Sequence, residues 1–185
     1  MTTSLIILGI ITFIGIIYYN QLIRRKNEVD NATGSINAML KFRYDLIPNL
    51  VDTVKTYMTY ETEVLSKLTA MRTMALHTDT SASDKQKIDT EIGDALKHIM
   101  IAVENYPDLK ASTNFIQLQQ SWTDIEDRIS SSRRFFNHAV TEYNIAIKSF
   151  PQNIVAGMMG YKPLQVFAVT AEEATNLSSK DLFKN

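Results

Sequence analysis

The segment FIQLQQSWTDIEDRISSSRRFFNHAVTEYNIAIKSF (115–150) decides the fold of this chain. Apolar side chains recur through most of it at steps of three or four residues. They are Phe115, Leu118, Trp122, Ile125, Ile129, Phe136, Val140, Tyr143, Ile147 and Phe150. This spacing forms one apolar stripe along an α-helix, and no stretch of the sequence alternates with the period of two that a strand requires. The sequence therefore predicts an all-α protein.

Three further segments show similar helical spacing. The first contains Leu22, Val29, Ala32, Ile36 and Met39, the second Ile47, Leu50, Val54, Tyr57, Val64, Leu68 and Met71, and the third Ile88, Ile92, Ala95, Ile99 and Val103. Pro107 and Pro151 are expected to end the third and fourth helices, because the residue before a proline is biased away from helical geometry. Four long amphipathic helices predict a four-helix bundle.

The boundary between the first two helices is predicted at Tyr44–Asp45. The apolar spacing continues through this point, with Arg43 in register with Ile47. Asp45 is nevertheless a good N-cap, and Pro48 is tolerated in a first turn but not in a helix interior. A single helix from Ile36 to Met74 would also be roughly 60 Å long, against about 35 Å for the third segment. We therefore expect a turn that gives four helices of more similar length.

The N-terminus reads as a transmembrane helix. Met1 to Ile23 carries no charged side chain, and LIILGIITFIGIIYY (5–19) approaches the length of about 20 apolar residues that a span needs. A cleaved signal peptide would have a basic start and a small-residue cleavage site, and neither is present. Arg24-Arg25-Lys26 follow the span. The positive-inside rule then predicts a single-pass cell-membrane protein with its N-terminus outside and its bundle in the cytoplasm.

These patterns divide the chain into three predicted parts. Residues 1–23 form the transmembrane anchor, and residues 24–150 form the bundle, whose first helix continues from the anchor. Residues 151–185 form a mostly irregular tail that packs on the bundle, with one possible short helix after Thr170.

Composition limits the classes of function. The chain has 185 residues, of which 45% are apolar and 21% are charged, so it can bury a core. Its formal net charge is −1, whereas a nucleic-acid-binding domain is usually strongly basic, so no nucleic-acid partner is expected. The absence of cysteine excludes disulfides, thiolate metal sites, cysteine nucleophiles and a lipoprotein anchor.

We find no motif that predicts catalysis, a cofactor or a metal. His77, His98 and His138 belong to no metal-ligand pattern, and the chain has no glycine-rich phosphate loop or nucleophile elbow. Asp124, Glu126 and Asp127 are interpreted as a solvated helix face. Arg43 is expected to pair with a carboxylate or to cap carbonyl groups at the predicted turn.

Several strings in this sequence resemble the LemA family. They are Tyr19-Asn20, Asn27, Arg43-Tyr44-Asp45-Leu46-Ile47-Pro48-Asn49-Leu50-Val51, Val54-Lys55, Arg134-Phe135-Phe136-Asn137, Tyr143-Asn144, Phe150-Pro151, Ala156-Gly157 and Gly160-Tyr161-Lys162-Pro163. They occur in family order and extend from about Tyr19 to Phe167. The resemblance implies a bacterial membrane-anchored protein with an up-and-down bundle and no catalytic residues. Some relatives carry a lipoprotein cysteine, which leaves the side of the membrane open.

The family motif residues are predicted to be structural. They are Arg43, Tyr44, Asp45, Pro48, Asn49, Tyr143, Asn144, Phe150, Pro151, Gly157, Gly160 and Tyr161.

Two functions remain open at this point. The first is a membrane-anchored interaction or scaffold module with unidentified protein partners and no catalytic activity. The second is a small-molecule or metal sensor, or an enzyme, with a site inside the bundle. Buried polar clusters at core positions would favour the second, whereas the predicted core positions are mostly Leu, Ile, Val, Met and aromatic residues.

Overall fold

The computed structural model describes residues 2–58, 62–77 and 82–167, which are mostly helical and include no strand. The all-α prediction is confirmed. The elements are α1 (Thr2–Lys55), α2 (Thr62–Leu76), α3 (Ala82–Ala102), a 3₁₀ turn (Val103–Asn105), α4 (Pro107–Lys110), α5 (Thr113–Lys148) and α6 (Gln152–Met158).

The predicted turn at Tyr44–Asp45 is wrong, because α1 continues through it without a break. Pro48 lies inside this helix. The helix ends at Lys55, where the amides of Tyr57 and Met58 both donate to the carbonyl of Val54. The chain therefore leaves the helix about ten residues later than predicted, at a place that the sequence marks with neither proline nor glycine.

The two prolines expected to end helices do lie at helix ends. Pro107 occupies the first turn of α4, directly after the 3₁₀ turn that closes α3. Pro151 follows α5 across a cis peptide bond with Phe150 and precedes α6. These positions fit a residue that has no N–H to donate into a preceding turn.

The tail is more regular than predicted, because α6 occupies its first residues. This helix ends in a Schellman motif. The amide of Tyr161 donates to the carbonyl of Ala156 and the amide of Gly160 to that of Gly157. Gly160 has φ +68°, a left-handed conformation that glycine adopts without steric cost. Residues 161–167 then have no helix or strand, and the possible helix after Thr170 lies outside the described residues.

The chain divides into two compact units that differ from the predicted parts in their boundaries. The first unit is Met1–Thr33 with Arg133–Asn185, and the second is Gly34–Ser132. The core of the first unit consists of Leu22, Val29, Ala32, Ala139, Val140, Tyr143, Ala146, Ile147 and Ala156. The core of the second consists of Tyr44, Ile47, Leu50, Val54, Met58, Leu65, Leu68, Met71, Ala75, Ile92, Leu96, Ile99, Val103, Leu109, Phe115, Leu118 and Trp122.

Candidate functional site

The second unit contains a charged cluster around Arg43. The Arg43 side chain is 5% exposed, and its Nη1 donates to Oδ1 of Asp89 at 2.7 Å. Its Nη2 lies 2.9 Å from Oε1 of Glu126, a carboxylate that is 40% exposed. One guanidinium therefore joins α1 to α3 and α5, and charge-assisted hydrogen bonds of this kind are roughly twice as strong as neutral ones.

Trp122 completes the cluster on α5. Its ring centroid lies 5.9 Å from Cζ of Arg43, within the range of a cation–π contact. Its Nε1 donates to the same Glu126 oxygen at 3.0 Å, because the two residues stand one helical turn apart. The indole therefore both packs against the cation and positions one of its carboxylate partners.

Gly93 makes room for the guanidinium on α3. A Cβ atom at this position would lie 3.0 Å from Nη2 of Arg43, which is closer than ordinary van der Waals contact. Glycine in a helix interior costs roughly 1 kcal/mol relative to alanine. The presence of glycine at this helix position is explained by the space that it leaves for the buried Arg43 side chain.

The cluster combines one buried cation with two carboxylates. An arginine side chain remains protonated in proteins and cannot serve as a proton shuttle. Nε of Arg43 is buried without a hydrogen-bond partner in the part of the chain that the structure describes, whereas both terminal nitrogens bind carboxylates. The arrangement is suited to holding α1, α3 and α5 together. Of its charged side chains, Glu126 is the one in partial contact with solvent.

Sequence reasoning identified Arg43 but missed its partners. The expectation that Arg43 pairs with a carboxylate is met, although the predicted turn is absent. Glu126 was assigned to a solvated face, which is wrong for its Oε1 atom, because this atom binds Arg43 and Trp122. Asp89 had a usable signal, because it precedes Ile92, Leu96 and Ile99 at the helical core spacing and is itself 3% exposed.

Pro48 is accommodated by a side chain from α2. A proline at this position cannot donate to the carbonyl of Tyr44, four residues earlier in α1. Nε of Arg72 donates to that carbonyl at 2.9 Å instead. The substitute donor explains how a helix interior tolerates this proline, and it corrects the prediction that Pro48 opens a new helix.

The other residues of this motif occupy ordinary helical positions. Tyr44 is buried in the core of the second unit, and Asn49 is exposed. Asp45 is not an N-cap. Its carboxylate accepts from Lys41 at 2.8 Å and lies 3.8 Å from Arg72.

In the first unit, two asparagine amides of α5 hold the segment 161–167. Asn144 donates to the carbonyl of Leu164 at 2.8 Å and accepts from its amide at 2.9 Å. Asn137 pairs with Phe167 in the same way, at 3.2 and 2.8 Å. The spacing of the two asparagines fits the spacing of their partners. Asn137 and Asn144 are about 10.5 Å apart along the helix axis, and an extended chain covers about 10 Å between Leu164 and Phe167.

Aromatic contacts reinforce this attachment. The rings of Phe136 and Phe167 lie 4.8 Å apart edge to face, and those of Tyr143 and Tyr161 lie 5.9 Å apart. The Tyr143 hydroxyl donates to the carbonyl of Lys162 at 3.2 Å. Burial, and secondarily the Tyr161 phenol, raise the pKa of the Tyr143 phenol above its ordinary value. Tyr143, Asn144 and Tyr161 are thus brought together.

The remaining predicted motif residues lie around α6. Phe150 is 82% exposed, and Pro151 immediately precedes the helix. Gly160 ends the Schellman motif described above. Among the described residues, apart from its chain neighbours and its own helix backbone, no atom lies within 4 Å of the position that a Cβ of residue 157 would take, so no contact there requires a glycine.

The three histidines are all exposed. His77 follows α2, His98 lies on α3 and His138 on α5. Within residues 2–58, 62–77 and 82–167, no group of three or more His, Cys, Asp or Glu side chains is arranged to hold a metal ion.

The helices and the buried cluster define an all-α protein with one N-terminal helix long and apolar enough to cross a membrane. The sequence model of the LemA family matches residues 32–179, and the chain belongs to this family. The resemblance noted from the sequence is confirmed.

Individual relatives agree with this assignment. Protein LemA of Metamycoplasma hominis is 29% identical over 182 residues, covering 95% of this chain and 83% of the relative. Magnetosome protein MamQ of Magnetospirillum gryphiswaldense is 31% identical over 96 residues, or 52% of this chain and 35% of the relative. Magnetosome protein MamQ 2 of Paramagnetospirillum magneticum has the same identity and coverage.

Proposed function

We propose that this protein is a membrane-anchored interaction module that presents its helices to protein partners and catalyses no reaction. The observation that carries the proposal is the N-terminal part of α1. Its most apolar 18-residue window has a mean hydropathy of 2.0 and is 0% buried. An apolar helix that none of the described residues buries is suited to a hydrocarbon environment, where its backbone groups are satisfied internally.

The engagement of the polar motif residues supports a structural rather than a chemical role. Both terminal nitrogens of Arg43 bind carboxylates, and the amides of Asn137 and Asn144 hold the backbone of the tail. Side chains whose polar atoms are already bound within the protein serve to position its helices and its tail. Anchoring by one span would concentrate the protein around membrane partners, in the way that linkage raises effective concentration.

A purified full-length chain, kept in mild detergent, tests the absence of chemistry. We expect substoichiometric metal content, no ligand-induced thermal shift and no hydrolytic turnover. In membranes, a photoreactive residue at Ile101, which is 70% exposed on α3, is expected to crosslink a defined partner. The same sample without irradiation is the matched control and should give no crosslink. A stoichiometric metal, or a turnover lost in His98→Ala or His138→Ala, would contradict the proposal.

We also propose that the N-terminus lies outside the cell and the remainder in the cytoplasm. Arg24, Arg25 and Lys26 follow the apolar segment directly, and basic residues next to a span favour the cytoplasmic side. Protease added to intact cells is expected to leave residues 27–185 undigested, and the same protease after permeabilisation should remove them. Digestion while the membrane is sealed would reverse the orientation.

A sensor or enzyme with a site in the helices is the second candidate, because the Arg43 cluster is the kind of buried polar group that favours it. Asp89 and Arg43 are buried, and Glu126 connects them to solvent. In this case the ligand-dependent thermal shift would appear in the full-length chain and would be lost in Glu126→Gln.

A further inference from the structure

Three large apolar side chains, one between α5 and α6 and two on α6, are exposed. Phe150 is 82% exposed, Ile154 57% and Met158 86%. Ile154 and Met158 stand one turn apart on α6, so they share a face. Ala156, on another face of the same short helix, is 2% exposed and belongs to the core of the first unit. This helix is therefore held by one side and presents apolar groups on another.

Contacts within the first unit place α6 beside the end of the apolar segment of α1. Nε2 of Gln152 donates to Oε1 of Gln21 at 2.7 Å. Arg25 binds Glu142 at 3.1 Å, ten residues earlier along the chain than Gln152. As α5 leads into α6, the chain thus passes back along α1 towards its apolar N-terminal segment.

The rise per residue of a helix shows which residue of α1 lies beside the end of α5. Lys148 is six residues beyond Glu142, and Tyr19 is six residues before Arg25. Each interval is about 9 Å at 1.5 Å per residue. The end of α5 is therefore level with Tyr19, where the apolar run ends and where aromatic residues of spanning helices commonly meet the membrane interface.

We propose that Phe150, Ile154 and Met158 insert into the boundary between headgroups and acyl chains of the same bilayer that α1 crosses. The inference rests on the proposed membrane anchor and adds a second, interfacial contact to it. An amphipathic helix of this kind lies in the plane of the interface with its apolar side chains in the acyl region.

Lipid is the occupant that the surroundings favour. The exposed apolar groups lie near the level at which the exposed apolar segment 5–19 ends, and Ile17 and Tyr19 there are 49% and 45% exposed. The nearby exposed cations Arg24 and Lys148 are suited to anionic headgroups. The bilayer contact would fix the tilt and rotation of the first unit relative to the membrane surface, which a lone span leaves free.

The absence of native cysteine makes a direct depth measurement possible in the full-length chain. Single variants Ile154→Cys and Met158→Cys are spin-labelled and reconstituted into vesicles of phosphatidylcholine and phosphatidylglycerol. Collisions with oxygen, which partitions into lipid, are compared with collisions with a water-soluble nickel chelate. Ile116→Cys is the control, because Ile116 is 53% exposed on α5 within the second unit. We expect the oxygen-to-nickel ratio at both test positions to exceed the control several-fold.

A further label at Ile11→Cys separates failure of the inference from failure of the anchor. If the Ile11 label is in lipid while the labels at 154 and 158 match the control, the interfacial contact is overturned and the span stands. Shielding of the labels at 154 and 158 from both reagents would show a protein contact and would also overturn the inference. If the Ile11 label reacts with nickel as the control does, the anchor and the interfacial contact fall together.

Discussion

Replacing Asp89 with alanine is expected to lower the free energy of unfolding by about 3–5 kcal/mol, the cost of breaking a buried ion pair by removing one partner. Among the described residues, the substitution leaves the buried Arg43 guanidinium with Glu126, which is 40% exposed, as its remaining carboxylate partner. It also opens space in the core of the second unit. The measurement is urea unfolding of the full-length chain in mild detergent, followed by helical circular dichroism.

Asp94→Ala is the matched control for this prediction, because it removes the same side chain from an exposed position on the same helix. Its effect should stay within about 0.5 kcal/mol. Arg43→Met combined with Asp89→Leu removes both charges, and it should recover much of the loss because apolar replacements of buried pairs are often well tolerated. If Asp89→Ala costs no more than Asp94→Ala, Asp89 does not hold a buried cation.

The helical spacing predicted most of the buried apolar positions, although Tyr57 and Phe150 are exposed, and it did not lead to the prediction of a buried Asp89. Arg43 continues the apolar spacing of α1, and Asp89 continues that of α3; both are buried. A single sequence does not pair the two, because they are separated by 46 residues and by two chain reversals. Glu126 was harder still, since its position beside the apolar stripe is equally suited to solvent.

The end of α1 could not be predicted for a different reason. Local signals favoured a break near Pro48, and the residues around Lys55 contain no strong breaker. The compensating donor, Arg72, belongs to another helix. Tertiary contacts therefore decided a boundary that local propensity placed elsewhere. The tail shows the same limit, because Asn137 and Asn144 bind backbone groups 30 and 20 residues away.

Pro48→Ala is expected to raise the free energy of unfolding by about 2 kcal/mol. Proline is roughly 3 kcal/mol less favourable than alanine in a helix interior, and the Arg72 hydrogen bond to the Tyr44 carbonyl already offsets about 1 kcal/mol of this difference. The proline ring is exposed, so its removal sacrifices little packing. The added N–H can donate to the carbonyl of Tyr44. Asn49→Ala, at the adjacent exposed position, is the control for general helix propensity.

A double-mutant cycle with Arg72→Ala tests the mechanism behind this gain. Arg72 supplies the donor that Pro48 lacks, so removing it should cost about 1–2 kcal/mol more when proline is present than when alanine replaces it. The contact of Arg72 with Asp45 is common to both backgrounds and cancels in the cycle. Equal costs would mean that the Arg72 hydrogen bond does not compensate for the proline. A loss of stability in Pro48→Ala would show that α1 depends on the ring itself, because the restored hydrogen bond could then not outweigh what the ring contributes.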